Sequence, residues 1–222
     1  MKQFTLICCL FISLSIMGQD INPEYNTEHY RNRLTEFEAK PLTRGQIVFL
    51  GNSLTEAGKW SQYFPKSDVA NRGISGDNTE GMLNRIAEIA ESKPSKLFIT
   101  AGINDISQNA RNEQIISRIR NLVYQVKIKS PNTRIYISSV LPINNNFDRY
   151  KRLAKKEKQI EKLNKDLQKF CKSRGDIVFI NVYPDFLIKK RLMNPQYTTD
   201  GLHLTPEGYS IWVNKLREYI ED

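Results

Sequence analysis

Apolar positions along the chain follow two alternating patterns. Nearly uninterrupted apolar runs at 46–51, 96–101, 133–140 and 177–182 read as buried strands, and 68–72, ending in Gly73, reads as a weaker one. Between them, apolar residues recur at helical spacing. They are Tyr25, Tyr30, Leu34 and Phe37 over 23–40, and Met82, Leu83, Ile86 and Ile89 over 78–92, stopped by Pro94. Ile115, Ile119, Leu122 and Val126 mark a third helix over 112–129, followed by a Pro131-Asn132 turn. Leu153, Ile160, Leu163, Leu167 and Phe170 mark a fourth over 150–173, closed by Gly175. A last helix opens at Thr205-Pro206-Glu207, with Thr205 as cap and Pro206 at the first helical position. Strand and helix alternate, which predicts a five-stranded parallel sheet covered on both faces, a doubly wound α/β domain. No repeat or linker-like tract interrupts 19–222, so one domain is expected there.

Composition narrows this picture. The chain has 222 residues, 40% hydrophobic and 26% charged, which excludes a disordered chain, a collagen-like repeat and a polytopic membrane protein. The first 18 residues carry Lys2, an apolar run over 4–17 and a small Gly18, the pattern of a removed secretory signal with cleavage near Gly18–Gln19. The run is too short to span a bilayer, so no stable membrane insertion is expected, and the predicted localisation is exported, periplasmic or secreted. Cys8 and Cys9 leave with the signal, and Cys171, beside Phe170 in a helical pattern, is a packing residue rather than a nucleophile. The formal charge is +9, and residues 151–174 hold ten Lys and Arg against three acids. This stretch carries most of the basic excess and reads as a solvated helix face, not a nucleic-acid site.

The chemistry gathers where strands end, which is where ligands bind in such folds. The first strand is followed by Gly51-Asn52-Ser53-Leu54-Thr55, the second by Gly73-Ile74-Ser75-Gly76-Asp77, and the third by Gly102-Ile103-Asn104-Asp105; Asp200-Gly201-Leu202-His203 precedes the last helix. The sequence holds two histidines, His29 and His203, and His29 lies ahead of the sheet. His203 is then the candidate general base for Ser53, with Asp200, three residues earlier, placed to fix its tautomer. Ser53 enters a helix, where free amides favour developing negative charge. The N–H of Ser53, the N–H of Gly73 and the side-chain amide of Asn104 are candidate oxyanion donors, and glycine at 73 would let backbone approach a substrate. Asn52, Asp77 and Asp105 are expected in support. Asp105 would bond turn amides, while Asp77 and Arg72 would brace the glycine loop, with Asp77 a candidate cap of the next helix.

These segments resemble the blocks of the SGNH hydrolases, the GDSL-type esterases and lipases. Ser53, Gly73, Asn104 and His203 stand in that family's order, and Asp200 matches its D-x-x-H block. The resemblance runs from Ile47 to Tyr209. It implies a three-layer flavodoxin-like fold, no metal and no organic cofactor. Asn52 departs from the common G-D-S-L, which leaves open how the turn beneath Ser53 is held. Within the family, G-N-S-L-T, N-R-G-I-S-G-D and G-I-N-D resemble exported bacterial acylhydrolases. Those are similar to carbohydrate O-acetylesterases, including sialate acetylesterases, or to platelet-activating-factor acetylhydrolases. The implied substrate is a small-molecule or glycan ester of acetyl or another short acyl group, with a lysophospholipase, thioesterase or lipid-esterase activity as the alternative.

Other readings compete at single positions. Ser53 alone would be a helix cap, and Asp200 a turn residue. Trp60, Tyr63 and Phe64 are candidates for a pocket lining or for plain core. The polar loop 144–146 is a candidate gate or a surface turn. A non-catalytic glycan-binding module would be expected to lack a triad member, and a nucleotide binder would show a G-x-G-x-x-G or P-loop; neither condition holds.

Overall fold

The computed structural model describes residues 23–221. The expected signal segment lies outside the described residues. Five strands, β1 (Ile47–Gly51), β2 (Val69–Gly73), β3 (Lys96–Thr100), β4 (Arg134–Ser138) and β5 (Ile177–Ile180), form one parallel sheet in the order β2-β1-β3-β4-β5. This is the flavodoxin-like order, whose switch point lies between β1 and β3.

Strand alternation assigns the two faces. Val48, Leu50, Leu97, Ile99, Ile135 and Ile137 point to one core, under α4 (Thr79–Asn84), α5 (Ile86–Ser92), α7 (Asn112–Lys129) and α8 (Glu157–Lys172). Ile47, Phe49, Phe98 and Tyr136 point to the other, under α3 (Trp60–Tyr63) and α9 (Pro206–Ile220). The second core is aromatic. Phe49 stacks on Trp60 at 4.1 Å and on Phe98 at 5.0 Å, and Phe98 stacks on Tyr136 at 4.6 Å. Trp60 and Phe64 are therefore buried core, while Tyr63 packs partly buried against the same cluster. The first helix, α1 (Glu28–Ala39), starts at Thr27, whose hydroxyl accepts the Tyr30 N–H.

The elements differ from expectation in instructive ways. The helix predicted over 78–92 breaks at Arg85 into α4 and α5. The helix predicted over 150–173 starts only at Glu157, after a 3₁₀ turn at Lys151–Leu153. Its buried face is Ile160, Leu163, Asn164, Leu167, Phe170 and Cys171, and Lys158, Lys162, Lys165, Lys169 and Lys172 lie outside that face. The strands predicted over 133–140 and 177–182 end two residues early because side chains take over their backbone groups. Asn164 bonds both the N–H and the C=O of Val140, at 2.7 and 2.8 Å, and Ser139 Oγ accepts the N–H groups of Val182 and Tyr183. A small antiparallel hairpin, β6 (Leu187–Lys189) with β7 (Leu192–Met193), has no counterpart in the sequence pattern. Among the described residues, no helix is long and apolar enough to cross a membrane.

Candidate active site

Strand register places the site. Gly51 lies opposite Gly73 on β2 and Thr100 on β3, so the three segments that follow leave the sheet side by side at its carboxyl rim. After β1 the chain turns at Asn52 into α2 (Ser53–Glu56). Asn52 is 1% exposed and caps this turn, its Oδ1 accepting the Leu54 N–H at 3.1 Å. An aspartate could do the same, so the departure from G-D-S-L leaves the turn intact. The helix that Ser53 opens is a single turn, too short for much of a macrodipole. What it offers is the Ser53 N–H, which has no intrahelical partner.

The α2 turn is fixed mainly through its carbonyls. Asn71 Nδ2 donates to Thr55, Glu56 and Gly58, Trp60 Nε1 to Thr55, and Tyr209 Oη to Leu54. Gly73 packs against the same turn. A Cβ there would sit 2.2 Å from the Glu56 nitrogen. The glycine is required by the close approach of α2. Its N–H donates to Asn71 Oδ1 at 2.9 Å, so this expected oxyanion donor is engaged in the resting site. Asn104, in α6 (Ile103–Ser107), donates from Nδ2 to the Asp77 carbonyl at 2.8 Å, which orients the amide and uses one of its two N–H groups.

The turn before α9 brings the two remaining residues to Ser53. Thr198 Oγ1 accepts the Gly201 N–H and donates to the His203 carbonyl, both at 2.8 Å. Gly201 has φ +92°, and a Cβ there would lie 2.4 Å from the Asn144 carbonyl oxygen, so glycine is needed on both counts. Asp200 Oδ2 lies 2.8 Å from His203 Nδ1, and His203 Nε2 lies 2.9 Å from Ser53 Oγ. Burial raises the Asp200 carboxyl, but bonds from the His203 ring and amide, Tyr150 and the Leu202 amide outweigh it and hold it at about 2. Asp200 is thus a carboxylate at neutral pH, facing an imidazole that faces a hydroxyl. That arrangement can move a proton off the serine. His29 is elsewhere, bonded to Glu56 at 3.0 Å.

The acids expected in support are buried and structural. Asp77 is 1% exposed and pairs with Arg85 Nε and Nη2 at 2.9 and 2.8 Å. Burial raises its carboxyl to about 6 against the lowering effect of Arg85. It does not cap the next helix; Asn78 does, accepting from the Glu80 and Gly81 N–H groups. Asp105 accepts the N–H and hydroxyl of Thr79, at the start of α4. Arg72 pairs with Glu88 and donates to the Lys40 carbonyl at 2.8 Å, bracing β2 from the side. The loop 144–146 is a strut: Asn144 donates its N–H to the Gly201 carbonyl and its side-chain amide to the Met193 carbonyl, each at 2.8 Å. Three residues escape a reading of the sequence. Asn71 and Arg85 carry no chemical signature, and Tyr150 falls within a helical pattern. Tyr150 Oη lies 2.7 Å from Asp200 Oδ2 and 2.9 Å from His203 Nδ1. Among the described residues there is no cluster of His, Cys, Asp and Glu that could hold a metal.

A parallel 2-1-3-4-5 sheet with serine, histidine and aspartate in contact at its carboxyl rim is the arrangement of an α/β ester hydrolase. The chain belongs to the GDSL-like Lipase/Acylhydrolase family, whose profile matches residues 49–211, and its activity class is that of an esterase or acylhydrolase. It is 26% identical over 198 residues to N-acylneuraminate cytidylyltransferase of Escherichia coli O18:K1:H7, a match covering 87% of this chain but only 45% of that protein. It is 25% identical over 171 residues to human platelet-activating factor acetylhydrolase IB subunit alpha1, covering 74% of this chain and 71% of the relative. Among solved structures, a GDSL-like lipase from Bacteroides thetaiotaomicron superposes with a TM-score of 0.75 at 28% identity, covering 86% of this chain and 97% of that one.

Proposed function

We propose that the chain is an exported serine esterase that removes acetyl or similarly short acyl groups from a carbohydrate. The observation that carries the reading is the unbroken contact from Ser53 Oγ through His203 to Asp200, with separations of 2.9 and 2.8 Å. Ser53 Oγ attacks the ester carbonyl carbon as its proton passes to His203 Nε2, and Asp200 stabilises the imidazolium. Negative charge collects on the carbonyl oxygen. The Ser53 N–H and the second N–H of Asn104 receive it, and the Gly73 N–H joins by exchanging its bond to Asn71. Collapse breaks the ester C–O bond, the alcohol leaves with the proton from Nε2, and the acyl group stays on Ser53. Water, deprotonated by His203, attacks the acyl carbon, and the acid departs as Ser53 recovers its proton.

The likeness to platelet-activating factor acetylhydrolase favours a second reading, a short-chain ester of a phospholipid. Wild type and Ser53→Ala are assayed with p-nitrophenyl acetate, then with O-acetylated sugars and acetylated phospholipids. Wild type is expected to hydrolyse the chromogenic ester and an acetylated sugar, and Ser53→Ala neither. Full activity in Ser53→Ala rejects the nucleophile, and turnover confined to the phospholipid moves the substrate to the second reading. Export is checked by the intact mass of material secreted from cells expressing the full chain, which should lack residues 1–18.

A further inference from the structure

The strongest unassigned contact in the molecule is that of Tyr150 with both members of the acid–base pair. Tyr150 leads the 3₁₀ turn Lys151–Leu153, whose Leu153 N–H donates back to the Tyr150 carbonyl at 2.8 Å and whose Leu153 side chain is buried. The phenol is therefore delivered from the segment after β4, not from the turn that carries Asp200 and His203.

Hydrogen accounting defines its role. Asp200 Oδ1 is used by its own turn, accepting the Leu202 and His203 N–H groups at 3.0 and 2.8 Å. Asp200 Oδ2 receives Tyr150 Oη at 2.7 Å and His203 Nδ1 at 2.8 Å. For Nε2 to take a proton from Ser53, Nδ1 must carry the hydrogen. In that tautomer Tyr150 donates to Oδ2, Nδ1–H donates to Oδ2, and Oη, 2.9 Å from Nδ1, accepts a share of the same hydrogen. If Nδ1 were bare, the single phenol proton would have to choose between nitrogen and carboxylate. The ring also stands edge-on to His203, with centroids 5.8 Å apart at 65°.

We propose that Tyr150 is a positioning residue: its hydroxyl holds the Asp200 carboxylate and the His203 ring in the tautomer and orientation that serve Ser53. This rests on the triad reading above. The charged and titratable groups facing the cluster are Asp200 and His203 from their own turn, Ser53 from α2, and Tyr150 and Arg149 from the loop. Arg149 Nε is 4.0 Å from Asp200 Oδ2 on a side chain that is 69% exposed. With the phenol hydroxyl gone, Oδ2 keeps the His203 Nδ1 bond and the more distant Arg149 but no longer shares its charge with the phenol, which favours a proton on His203.

Tyr150→Phe keeps the ring and removes the hydroxyl. On p-nitrophenyl acetate it is expected to lower kcat about tenfold, the scale of one hydrogen bond to a charged group. KM should change little, and the acid limb of kcat/KM should move to higher pH. Circular dichroism at each pH of the profile separates a moved limb from acid unfolding of the variant, because a stability loss shifts the limb only where the folded signal falls with it. Ser53→Ala is run alongside. Wild-type kcat and an unmoved acid limb in Tyr150→Phe, with Ser53→Ala inactive, overturn the Tyr150 role alone. An active Ser53→Ala overturns the triad and the Tyr150 role together.

Discussion

Gly73→Ala separates two reasons for a glycine at the rim. The substitution keeps the N–H, so a donor role for that amide is untouched in principle. The φ of Gly73 lies outside the left-handed region, so backbone strain is not at issue. What the added Cβ meets is backbone: the Glu56 nitrogen at 2.2 Å, Glu56 Cα at 2.6 Å and the Thr55 carbonyl carbon at 2.7 Å. Relief requires α2 and β2 to separate by about 1 Å, since ordinary contacts begin near 3.5 Å. The α2 turn cannot slide freely, because Asn71, Trp60 and Tyr209 hold its carbonyls at 2.8 to 3.2 Å. Overpacking costs about 1–3 kcal/mol, and one or two weakened buried hydrogen bonds add about 1 kcal/mol each. A total of about 2–5 kcal/mol lowers the melting temperature by roughly 5–15 °C for a chain of this size. The same displacement moves Ser53 Oγ relative to His203, and about 1 Å of misplacement costs on the order of 100-fold in rate. The assay is kcat on p-nitrophenyl acetate together with thermal unfolding by circular dichroism. Gly45→Ala is the control, because its φ of +88° brings strain but no atom lies within 4 Å of the new Cβ. If Gly73→Ala keeps kcat within threefold of wild type and melts no lower than Gly45→Ala, the close-approach argument is wrong.

Asp77 and Cys171 give two further tests. The Asp77 carboxyl is raised to about 6, above the ordinary aspartate value of about 4 that it regains on unfolding. Between those values the folded state holds a proton that the unfolded state has lost. Stability from this group therefore falls as pH rises through that window and is level above it. Asp77→Asn should remove that slope from melting curves taken between pH 4 and 7 while lowering stability throughout, since Arg85 loses its carboxylate; an unchanged slope counts against the assignment. Burial pushes the Cys171 thiol up to about 12, so iodoacetamide at about pH 8 should leave the folded protein unlabelled and modify it fully in guanidinium chloride. Rapid labelling of the folded chain would contradict the buried placement.

The sheet is legible in the sequence because its inner strands β1, β3 and β4 are buried on both faces over most of their length and carry mainly apolar residues, as at Val48, Phe49 and Leu50. Ser53 follows from the rule that sites form at carboxyl ends of strands, His203 from being the histidine that does not lie ahead of the sheet, and Asp200 from its spacing to His203; the structure brings these three into contact. What escapes is long-range side-chain bonding. Nothing local in the sequence says that Asn71 will fasten α2, or that Tyr150 will leave a helical pattern to meet Asp200 across 50 positions. The unforeseen helix break has the same cause. Met82, Leu83, Ile86 and Ile89 keep helical spacing through Arg85, and only the partners of its guanidinium make the break intelligible.

Those partners tie the fold to the site. Arg85 donates to the Arg72 carbonyl at 2.8 Å, the Gly51 carbonyl at 3.1 Å and the Asp77 carboxylate. The first is the carbonyl just before the last residue of β2 and the second the last of β1, where the chain leaves the sheet for the loop after Gly73 and for Ser53. The guanidinium bonds the Arg72 carbonyl and adds a second donor to the Gly51 carbonyl, which also accepts the Ile74 N–H at 3.0 Å, so both are held from beneath the rim. A buried cation needs a counter-charge, and Asp77, on the loop after Gly73, supplies it. Asp105, after β3, acts in a similar way: it takes the Thr79 N–H, so that the start of α4 is pinned to the segment bearing Asn104. The supporting acids of the rim thus act on backbone rather than on a substrate, and the cost of burying them is offset by fixing the strand ends from which the reactive side chains project.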